Sequence, residues 1–422
     1  MRKRLARAHL ALFLSVVLMV FACTGSEQPE RVSLPEAAVE IPTATTGVTG
    51  GLPGRLLVLD EDDGIMTVRP DGGDQVTLAE PDPAVERAQP TWSPDGSRVA
   101  WTERRDNQET LLMMSAADGS GIVERPSPVQ AVYIAWGPDS EHIAITGNTE
   151  DGNLLLVVAD PEGELTVIEE GAPLYFDWAP EGSEVLARVG ERFGYVAVDG
   201  SGRTPVPVSG EFRLGAHLGE SVVLGTGRDI GEALATANRE GEVERELLRY
   251  ATPMAFVVDD IRGRLAVMMR GSPESQQLSQ VEESDLPIIE PDQLVVVDAA
   301  DGSLVEVTRA RNVAWFWSPD GDQLLYTTIE FLDGVERLRL HTWDGERTTS
   351  HQAFSPTGVF GREYLAYFDQ FALSLSLWAP DSSAFVYAGG SSLEDAGIWV
   401  QPLDGDEPSR VSSGQMAVWS PV

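Results

Sequence analysis

The sequence predicts an all-β fold, a single β-propeller of four-stranded blades, from three observations. A phrase made of an aromatic residue, a tight turn and a short apolar strand recurs along the chain, as in TWSPDGSRVAW at Thr91–Trp101. Copies that follow one another directly are 41 to 44 residues apart, which is the length of one four-stranded blade. The last copy, VWSPV, is a first strand without the rest of its blade.

The aromatic residue of each copy, which we call the anchor, is a tryptophan in six of them. Because one such residue recurs per unit, we expect the anchors to pack between blades rather than to stack on a sugar or another ligand. The six anchors are Trp92, Trp136, Trp178, Trp317, Trp378 and Trp419.

The residues after each anchor predict a tight turn. In Ser93-Pro94-Asp95-Gly96, proline stands second, where its fixed φ is favourable, and glycine stands fourth, where a positive φ closes the turn. Strand-like runs such as Arg98–Trp101 and Leu111–Met114 follow. No segment has a convincing helical period, so the chain is expected to be all-β.

The 139 residues between Trp178 and Trp317 are too many for one unit. Turn-and-strand pieces without a tryptophan, at Gly219–Leu224 and Asp260–Val267, supply two more units. This makes eight blades, with seven as the alternative. The polar and acidic segment Gly271–Asp292 is typical of a loop inserted in one blade.

The two ends of the repeat region predict ring closure. Gly54–Glu80 contains three strand-like runs but no anchor strand, whereas Met416–Trp419 is an anchor strand without three partners. If both join one sheet, the ring closes and no sheet edge is left free. We therefore expect the propeller over residues 54–422.

The first 22 residues have the pattern of a bacterial signal peptide, with basic residues, the apolar run Leu10–Phe21 and then Ala22. Val20–Cys23 resembles a lipobox, in which the cysteine becomes a lipidated N-terminus; an ordinary secretory signal is the alternative. Residues 23–53, rich in Thr, Pro, Gly and Glu, are expected to be a flexible linker behind the lipidated Cys23. The protein is thus expected outside the cytoplasm, in the cell envelope, held at the membrane by its lipid alone.

The charge balance limits the possible partners. The chain has 67 acidic and 30 basic residues, a formal net charge of -37. Such a surface repels nucleic acid and anionic lipid headgroups, so the sequence excludes nucleic-acid binding. Otherwise the charge indicates solubility or cationic partners.

The anchors with their turns (WSPDG, WGPDS, WAPEG, WSPDG and WAPDS) resemble the PD40, or WD40-like, propeller repeats of TolB-like proteins. The resemblance covers about residues 54–422. It implies an envelope propeller, and TolB itself binds protein partners. It does not imply one activity, because a propeller architecture hosts many functions.

Motifs for catalysis or metal binding are missing from the sequence. It has no HExxH, no cysteine pair, no GxSxG and no glycine-rich phosphate loop. Asp60–Gly64 clusters acids but lacks the spacing of a calcium loop, so a polar hairpin tip is expected. We therefore expect no metal site and no cofactor.

One aromatic-rich stretch precedes the anchor Trp378. A loop there would approach the central channel, and clustered exposed aromatics mark binding surfaces. The alternative is an extra hairpin packed on its own blade. The candidate binding residues are Tyr364, Tyr367, Phe368, Asp369, Gln370 and Phe371.

These observations favour a non-enzymatic scaffold that binds a protein, a peptide or a cell-envelope ligand at the channel mouth or loops. One alternative is a propeller enzyme, a lyase or hydrolase of a wall or extracellular polymer, whose residues converge only in three dimensions. Converging histidine, arginine and paired carboxylates at the channel mouth would favour that enzyme. A solute-sensing accessory of a transporter is a further alternative.

Overall fold

The computed structural model describes residues 51–105, 108–149, 152–207, 215–281, 283–332, 334–372, 374–392, 395–405 and 407–422. The expected signal peptide, Cys23 and the linker up to residue 50 lie outside the described residues, so the expectations about them stay predictions. Within the described part of the chain, no helix is long and apolar enough to cross a membrane.

The described residues form 31 strands in antiparallel pairs. Blades 1 to 4 use the first fifteen strands, and the last strand of the chain completes blade 1. These strands are β1 (Leu56–Leu59), β2 (Ile65–Val68), β3 (Val76–Ala79), β4 (Val85–Trp92), β5 (Arg98–Arg105), β6 (Thr110–Ala116), β7 (Val123–Pro126), β8 (Ala131–Trp136), β9 (Ile143–Asn148), β10 (Leu154–Ala159), β11 (Leu165–Gly171), β12 (Leu174–Trp178), β13 (Glu184–Val189), β14 (Arg192–Ala197), β15 (Arg203–Pro205) and β31 (Met416–Trp419).

Blades 5 to 8 use the remaining strands. They are β16 (Ala216–Leu218), β17 (Ser221–Gly227), β18 (Glu232–Ala237), β19 (Val243–Tyr250), β20 (Met254–Asp259), β21 (Arg264–Met269), β22 (Leu294–Asp298), β23 (Leu304–Thr308), β24 (Asn312–Trp317), β25 (Leu324–Leu332), β26 (Val335–Trp343), β27 (Thr348–Pro356), β28 (Ala384–Gly390), β29 (Gly397–Pro402) and β30 (Ser409–Ser412).

Six sheets have four strands, and one has seven. In the seven-stranded sheet, β27 pairs with β28 only where Ser355 lies opposite Gly390 and Pro356 lies opposite Gly389. We therefore divide it into blade 7 (β24–β27) and blade 8 (β28–β30). On this division the described strands form eight blades, of which blades 5 and 6 are the units without a tryptophan anchor.

The two ends of the repeat region share one sheet. The C-terminal strand β31 pairs antiparallel with β1, with Trp419 opposite Leu56, in the sheet order β3-β2-β1-β31. The apolar side chains of β1 and β31 are buried, so this shared blade is part of the hydrophobic core.

The predicted turns are confirmed. Gly96 has a φ of 69°, and its N–H donates to the Ser93 carbonyl at 2.8 Å. At the same position of other turns, Ser140 and Ser382 take the positive φ values 60° and 61°. The Ser140 hydroxyl accepts from the backbone N–H of Asp95 at 3.0 Å, so the turns of neighbouring blades are hydrogen-bonded to each other.

The strands that end at the anchors lie at the centre of the molecule. First strands of successive blades contact one another, as β4 contacts β8, β16 contacts β20, and β20 contacts β24. Their mutual contact surrounds a central channel, and each anchor lies where its strand reaches the same end of that channel. We call this end the anchor side.

Two helical segments differ from the expectation of strands and loops alone. The segment Gly271–Asp292, inserted between β21 and β22, begins with helix α1 (Pro273–Leu278), which Ser272 caps through a reciprocal bond with Ser275. The second segment has a π-helical turn, a 3₁₀ turn and helix α2, at Phe360–Tyr364, Leu365–Tyr367 and Phe368–Phe371. Segments of three to six residues are too short to show a helical period in sequence.

Candidate functional site

A pocket of about 270 Å³ opens at the anchor side of the channel. Anchors of five blades line it, together with three serines, two prolines and several apolar residues. None of the described residues that line it is titratable. The anchors in its wall are Trp92, Trp136, Trp317, Trp378 and Trp419. We call it the anchor-side pocket.

Three of the six anchor indoles donate a hydrogen bond to the preceding blade. The Nε1–H of Trp178 donates to the carbonyl of Ala135 at 3.3 Å, and that of Trp378 donates to the carbonyl of Phe316 at 3.2 Å. Both acceptors are the residue just before the preceding anchor. Trp317 follows the same rule, with the Val257 carbonyl of β20 at 3.2 Å as acceptor. The anchors therefore fasten neighbouring blades together.

The anchors of blades 1, 2 and 3 depart from this rule. The Trp419 indole donates to the carbonyl of Pro53 at 2.8 Å. The Nε1 atoms of Trp92 and Trp136 are buried and have no hydrogen-bond partner among the described residues. These two side chains are only 6% and 5% exposed. An unsatisfied buried donor is unusual and needs an explanation.

The floor of the pocket comes from Thr357–Leu377, which we call the insert. Leu375 is buried beneath the pocket. The backbone N–H of Trp419 donates to the Ser376 carbonyl at 2.8 Å, and that of Val386 donates to the Leu377 carbonyl, also at 2.8 Å. Blades 1 and 8 thus hold the end of the insert from both sides.

The insert enters the channel because blade 8 lacks a continuous first strand. Pro356 pairs with one end of β28, and the isolated bridge from Trp378 to Phe385 covers the other. The Tyr133 hydroxyl of blade 3 donates to the Gln370 carbonyl at 3.1 Å. Since blades 3 and 8 are not neighbours in the ring, the insert crosses the interior of the channel.

The candidate binding residues all lie in this insert, but two of them are core residues. Tyr364 is 1% exposed and stacks on Phe316 with ring centroids 5.7 Å apart. Phe368 is 5% exposed and packs on Trp315 at 4.4 Å. The expected group of exposed aromatics is therefore wrong for Tyr364 and Phe368, because the insert packs inward on β24.

Tyr367, Asp369 and Gln370 lie closer to solvent than Tyr364 and Phe368 do. Tyr367 is 42% exposed, and burial of the rest of the ring raises the pKa of its hydroxyl. Asp369 and Gln370 are half-buried. Burial is the main cause that lowers the pKa of Arg270, the residue after β21. The negative charge of Asp369 opposes this change by raising the pKa of Arg270. Phe371 ends α2. A binding role for this stretch stays a prediction.

Sequence reasoning assigned the anchors to blade packing and missed that five of them also line a pocket. The overlong unit between Trp317 and Trp378 was the available signal. Residues that leave the sheet just before an anchor must pass near the channel, and this insert closes the channel beneath the anchors.

A hydrogen-bonded set of described titratable residues joins the first strands of blades 4 and 5, outside the pocket lining. Asp177 of β12 accepts from the His217 backbone N–H at 2.8 Å and from its Nδ1–H at 2.9 Å. The other ring nitrogen lies 3.3 Å from the Tyr195 hydroxyl. This set joins blades 4 and 5, where Leu218 replaces the anchor. Among the described residues, no three His, Cys, Asp or Glu side chains are grouped to hold a metal ion.

No family model matches the chain, and no curated protein matches it. Among solved structures, a eukaryotic initiation factor aligns over 87% of this chain and 98% of its own, with 12% identity and a TM-score of 0.54. At that identity the likeness concerns the fold alone. TolB from Acinetobacter baumannii aligns over 70% of this chain, with 14% identity and a TM-score of 0.38, and the alignment spans 63% of that TolB.

The β-propeller domain of the trilobed protease from Pyrococcus furiosus aligns over 78% of this chain and 96% of its own, with 12% identity and a TM-score of 0.46. The strand order is that of a β-propeller, and the recurring anchor turns resemble the repeats of TolB-like proteins.

Proposed function

We propose that the protein is a non-enzymatic binding propeller, held outside the cytoplasmic membrane by a lipid on Cys23, and that the anchor-side pocket receives its ligand. The observation that carries this proposal is the composition of the pocket. Its described lining is aromatic, apolar and hydroxyl-bearing, without an acid or a base. General acid–base chemistry needs a titratable group within hydrogen-bond reach of the substrate, whereas binding sites are mostly apolar with a few polar groups.

A pocket-filling substitution tests the binding role. Ala372 lines the pocket, so Ala372→Phe places a ring in it. A ligand found by a thermal-shift screen of wall sugars, peptides and polymer fragments should raise the Tm of the wild type, because binding to the folded state stabilises it. The shift should be lost in Ala372→Phe. Ala366→Phe, which alters an exposed alanine of the same insert, is the matched control and should keep it.

The rival enzyme hypothesis makes a different prediction. Its described candidate groups are Asp177, His217 and Tyr195, which do not line the pocket. Turnover of a wall or extracellular polymer that survives Ala372→Phe but is abolished by His217→Gln would replace the binding proposal with an enzyme. A screen without turnover, in which only Ala372→Phe removes the thermal shift, supports binding.

The lipid anchor is tested separately. Cys23→Ser should move the protein from the membrane fraction to the soluble extracytoplasmic fraction, because no thioether-linked lipid can form on serine. Ser26→Ala, a neighbouring substitution in the expected linker, should leave the protein with the membrane. Membrane retention of Cys23→Ser would contradict the anchor and leave the pocket proposal intact.

A further inference from the structure

We propose that Arg270 binds the carboxylate group of a second ligand, at the end of the channel opposite the anchor side. We call this end the far side. Arg270 directly follows β21, and the last residue of that strand, Met269, lies opposite Met254, the first residue of β20. Because first strands end at the anchor side, Arg270 lies at the far side. It is not among the described residues that line the anchor-side pocket, so the two sites are tested independently.

Arg270 is a half-buried cation without a partner. Within the described part of the chain, its guanidinium has neither an ion pair nor a side-chain hydrogen bond. Each of the other described arginines that are not exposed has at least one of these contacts. Arg264, at the start of the same strand, donates to Asp259 at 2.6 Å. Arg270 is therefore a local exception in a chain with 67 acidic residues.

The surroundings of Arg270 favour the binding of an anion. A half-buried charge without a counter-charge costs free energy. Burial lowers the pKa of Arg270, and the positive charge of Arg311 lowers it further. The side-chain nitrogen atoms of Arg270 are not among the buried atoms that lack a partner, so they keep contact with solvent and a ligand can reach them. An anion bound there would supply the missing counter-charge.

The backbone around Arg270 is fixed by two neighbouring segments. Its N–H donates to the carbonyl of Pro253, just before β20, at 2.9 Å. The N–H of Asp292, at the end of the inserted segment Gly271–Asp292, donates to the Met269 carbonyl at 2.8 Å. A guanidinium on a fixed backbone loses less conformational freedom when it binds a ligand. The position is thus preorganised for binding.

A second arginine lies at the far side of the next blade. Arg311 is exposed and directly precedes Asn312, the first residue of β24. The side-chain nitrogen of Asn312 lies 3.7 Å from the sulfur atom of Met268 on β21, so the strand ends that carry the two arginines are adjacent. Two like charges repel each other unless an anion lies between them, and a guanidinium fork matches the oxygens of a carboxylate or a phosphate.

Two aspartates decide between these anions. The negative charges of Asp292 and Asp369 also act on Arg270 and oppose the lowering of its pKa, although neither forms an ion pair with it. Asp369 lies on α2, which contacts β20 and β24. A phosphate monoester carries about −1.5 to −2 charges at neutral pH, which both aspartates would repel. A carboxylate brings a single charge, so it suits this balance of two arginines and two aspartates.

Trifluoroacetate, a small carboxylate, tests the site in the full chain purified in detergent. Its binding is followed by fluorine NMR at constant ionic strength, because line broadening detects weak binding. Arg270→Met keeps most of the apolar stem and removes the guanidinium. It should raise the Kd about tenfold or more, as expected for the loss of hydrogen bonds to a charged group. Arg311→Met should raise the Kd about two- to fivefold, because an exposed charge contributes less.

Arg347→Met is the matched control. Arg347 is exposed and lies between β26 and β27 at the anchor side, so its loss changes the net charge equally but should leave the Kd unchanged. Arg270→Lys keeps the charge without the planar fork, so it should bind more weakly than the wild type but more tightly than Arg270→Met. Equal Kd values of the wild type and Arg270→Met would overturn the site.

Thermal unfolding without ligand gives a readout that does not depend on binding. Because Arg270→Met removes a half-buried cation without a partner, its Tm should equal that of the wild type or exceed it. A clearly lower Tm would show that the protein itself already satisfies the guanidinium, which contradicts the proposal.

Displacement of trifluoroacetate distinguishes a small free acid from the end of a peptide. If trialanine binds at least tenfold more tightly than trifluoroacetate and its C-terminal amide does not displace the probe, the ligand is a peptide C-terminus. Equal affinities identify a small free acid. Either result supports the proposal only if Arg270→Met weakens the binding. Inorganic phosphate that displaces the probe more effectively than trialanine does would overturn the choice of a carboxylate.

Discussion

Blades 3 and 8 share the same anchor turn but differ in how they meet the channel. Blade 3 has an unbroken first strand, Ala131–Trp136. In blade 8 that place is divided between Pro356 and Trp378, and the residues between them cross the channel. The neighbouring blade compensates, because the Trp419 N–H bonds to Ser376. The ring therefore closes although blade 8 lacks a continuous first strand. The insert, which takes the place of that strand, forms the floor of the candidate site.

The largest expected effect comes from removing the ring that fixes the insert. Phe368 is 5% exposed and packs on Trp315 at 4.4 Å and Phe316 at 6.1 Å. Phe368→Ala should lower the free energy of unfolding by about 3–5 kcal/mol, as for other buried aromatic residues. Urea denaturation measures it.

Tyr367→Ala is the control in the adjacent position. Its side chain is 42% exposed, so the change should stay within about 0.5 kcal/mol, as at other surface positions. Equal effects of the two substitutions would mean that the insert does not pack on blade 7, and the contrast between blades 3 and 8 would lose its structural basis.

The second largest effect is expected at low pH, which should destabilise the junction of blades 7 and 8. His351 lies on β27, the strand whose end replaces part of the inner strand of blade 8. Burial lowers the pKa of His351 from its ordinary value of 6.5 to about 4, and burial also lowers the pKa of His341, which is 9% exposed and stacked on Tyr326 at 4.8 Å. Both histidines therefore favour the neutral form when the chain is folded.

The direction of the pH dependence follows from these pKa values. The unfolded chain binds a proton near pH 6.5 and the folded chain near pH 4, so His351 contributes its full stabilisation above pH 6.5 and loses it as the pH falls to 4. The loss should be about 2–3 kcal/mol, measured as the urea midpoint against pH. His351→Gln should flatten this dependence. A urea midpoint of the wild type that is constant between pH 6.5 and 4 would contradict the predicted pH dependence.

The regular part of this comparison could be predicted from sequence, and the irregular part could not. The turn after Trp92, the unit that starts near Gly219 and the pairing of β31 with β1 each follow from local residue order. The path of the insert does not, because Phe360–Phe371 consists of single helical turns that carry no period. Whether an anchor indole finds a backbone carbonyl depends on the neighbouring blade, which the repeat of one residue type does not encode.

Trp178→Phe and Trp136→Phe should separate an anchor whose indole is bonded to the preceding blade from one whose buried indole N–H has no partner among the described residues. Trp178 loses a hydrogen bond to the Ala135 carbonyl, so stability should fall by about 0.5–1.5 kcal/mol. Trp136→Phe removes a donor without a partner and should cost less or even stabilise, because a desolvated N–H is eliminated. Thermal unfolding without ligand measures both. A larger loss at Trp136 would indicate that its N–H is already satisfied.

The smallest expected effect concerns the turns that blades 3 and 8 have in common. The Ser140 hydroxyl accepts from the Asp95 N–H at 3.0 Å, and the Ser382 hydroxyl accepts from the Asp320 N–H at 3.2 Å. Alanine keeps the same positive-φ penalty as serine, so Ser140→Ala and Ser382→Ala isolate this bond, at about 0.5–1 kcal/mol each. If the turns form a uniform ring, the two losses should agree. A clearly larger loss at Ser382 would mean that blade 8, with its divided inner strand, depends more on the turn than blade 3 does.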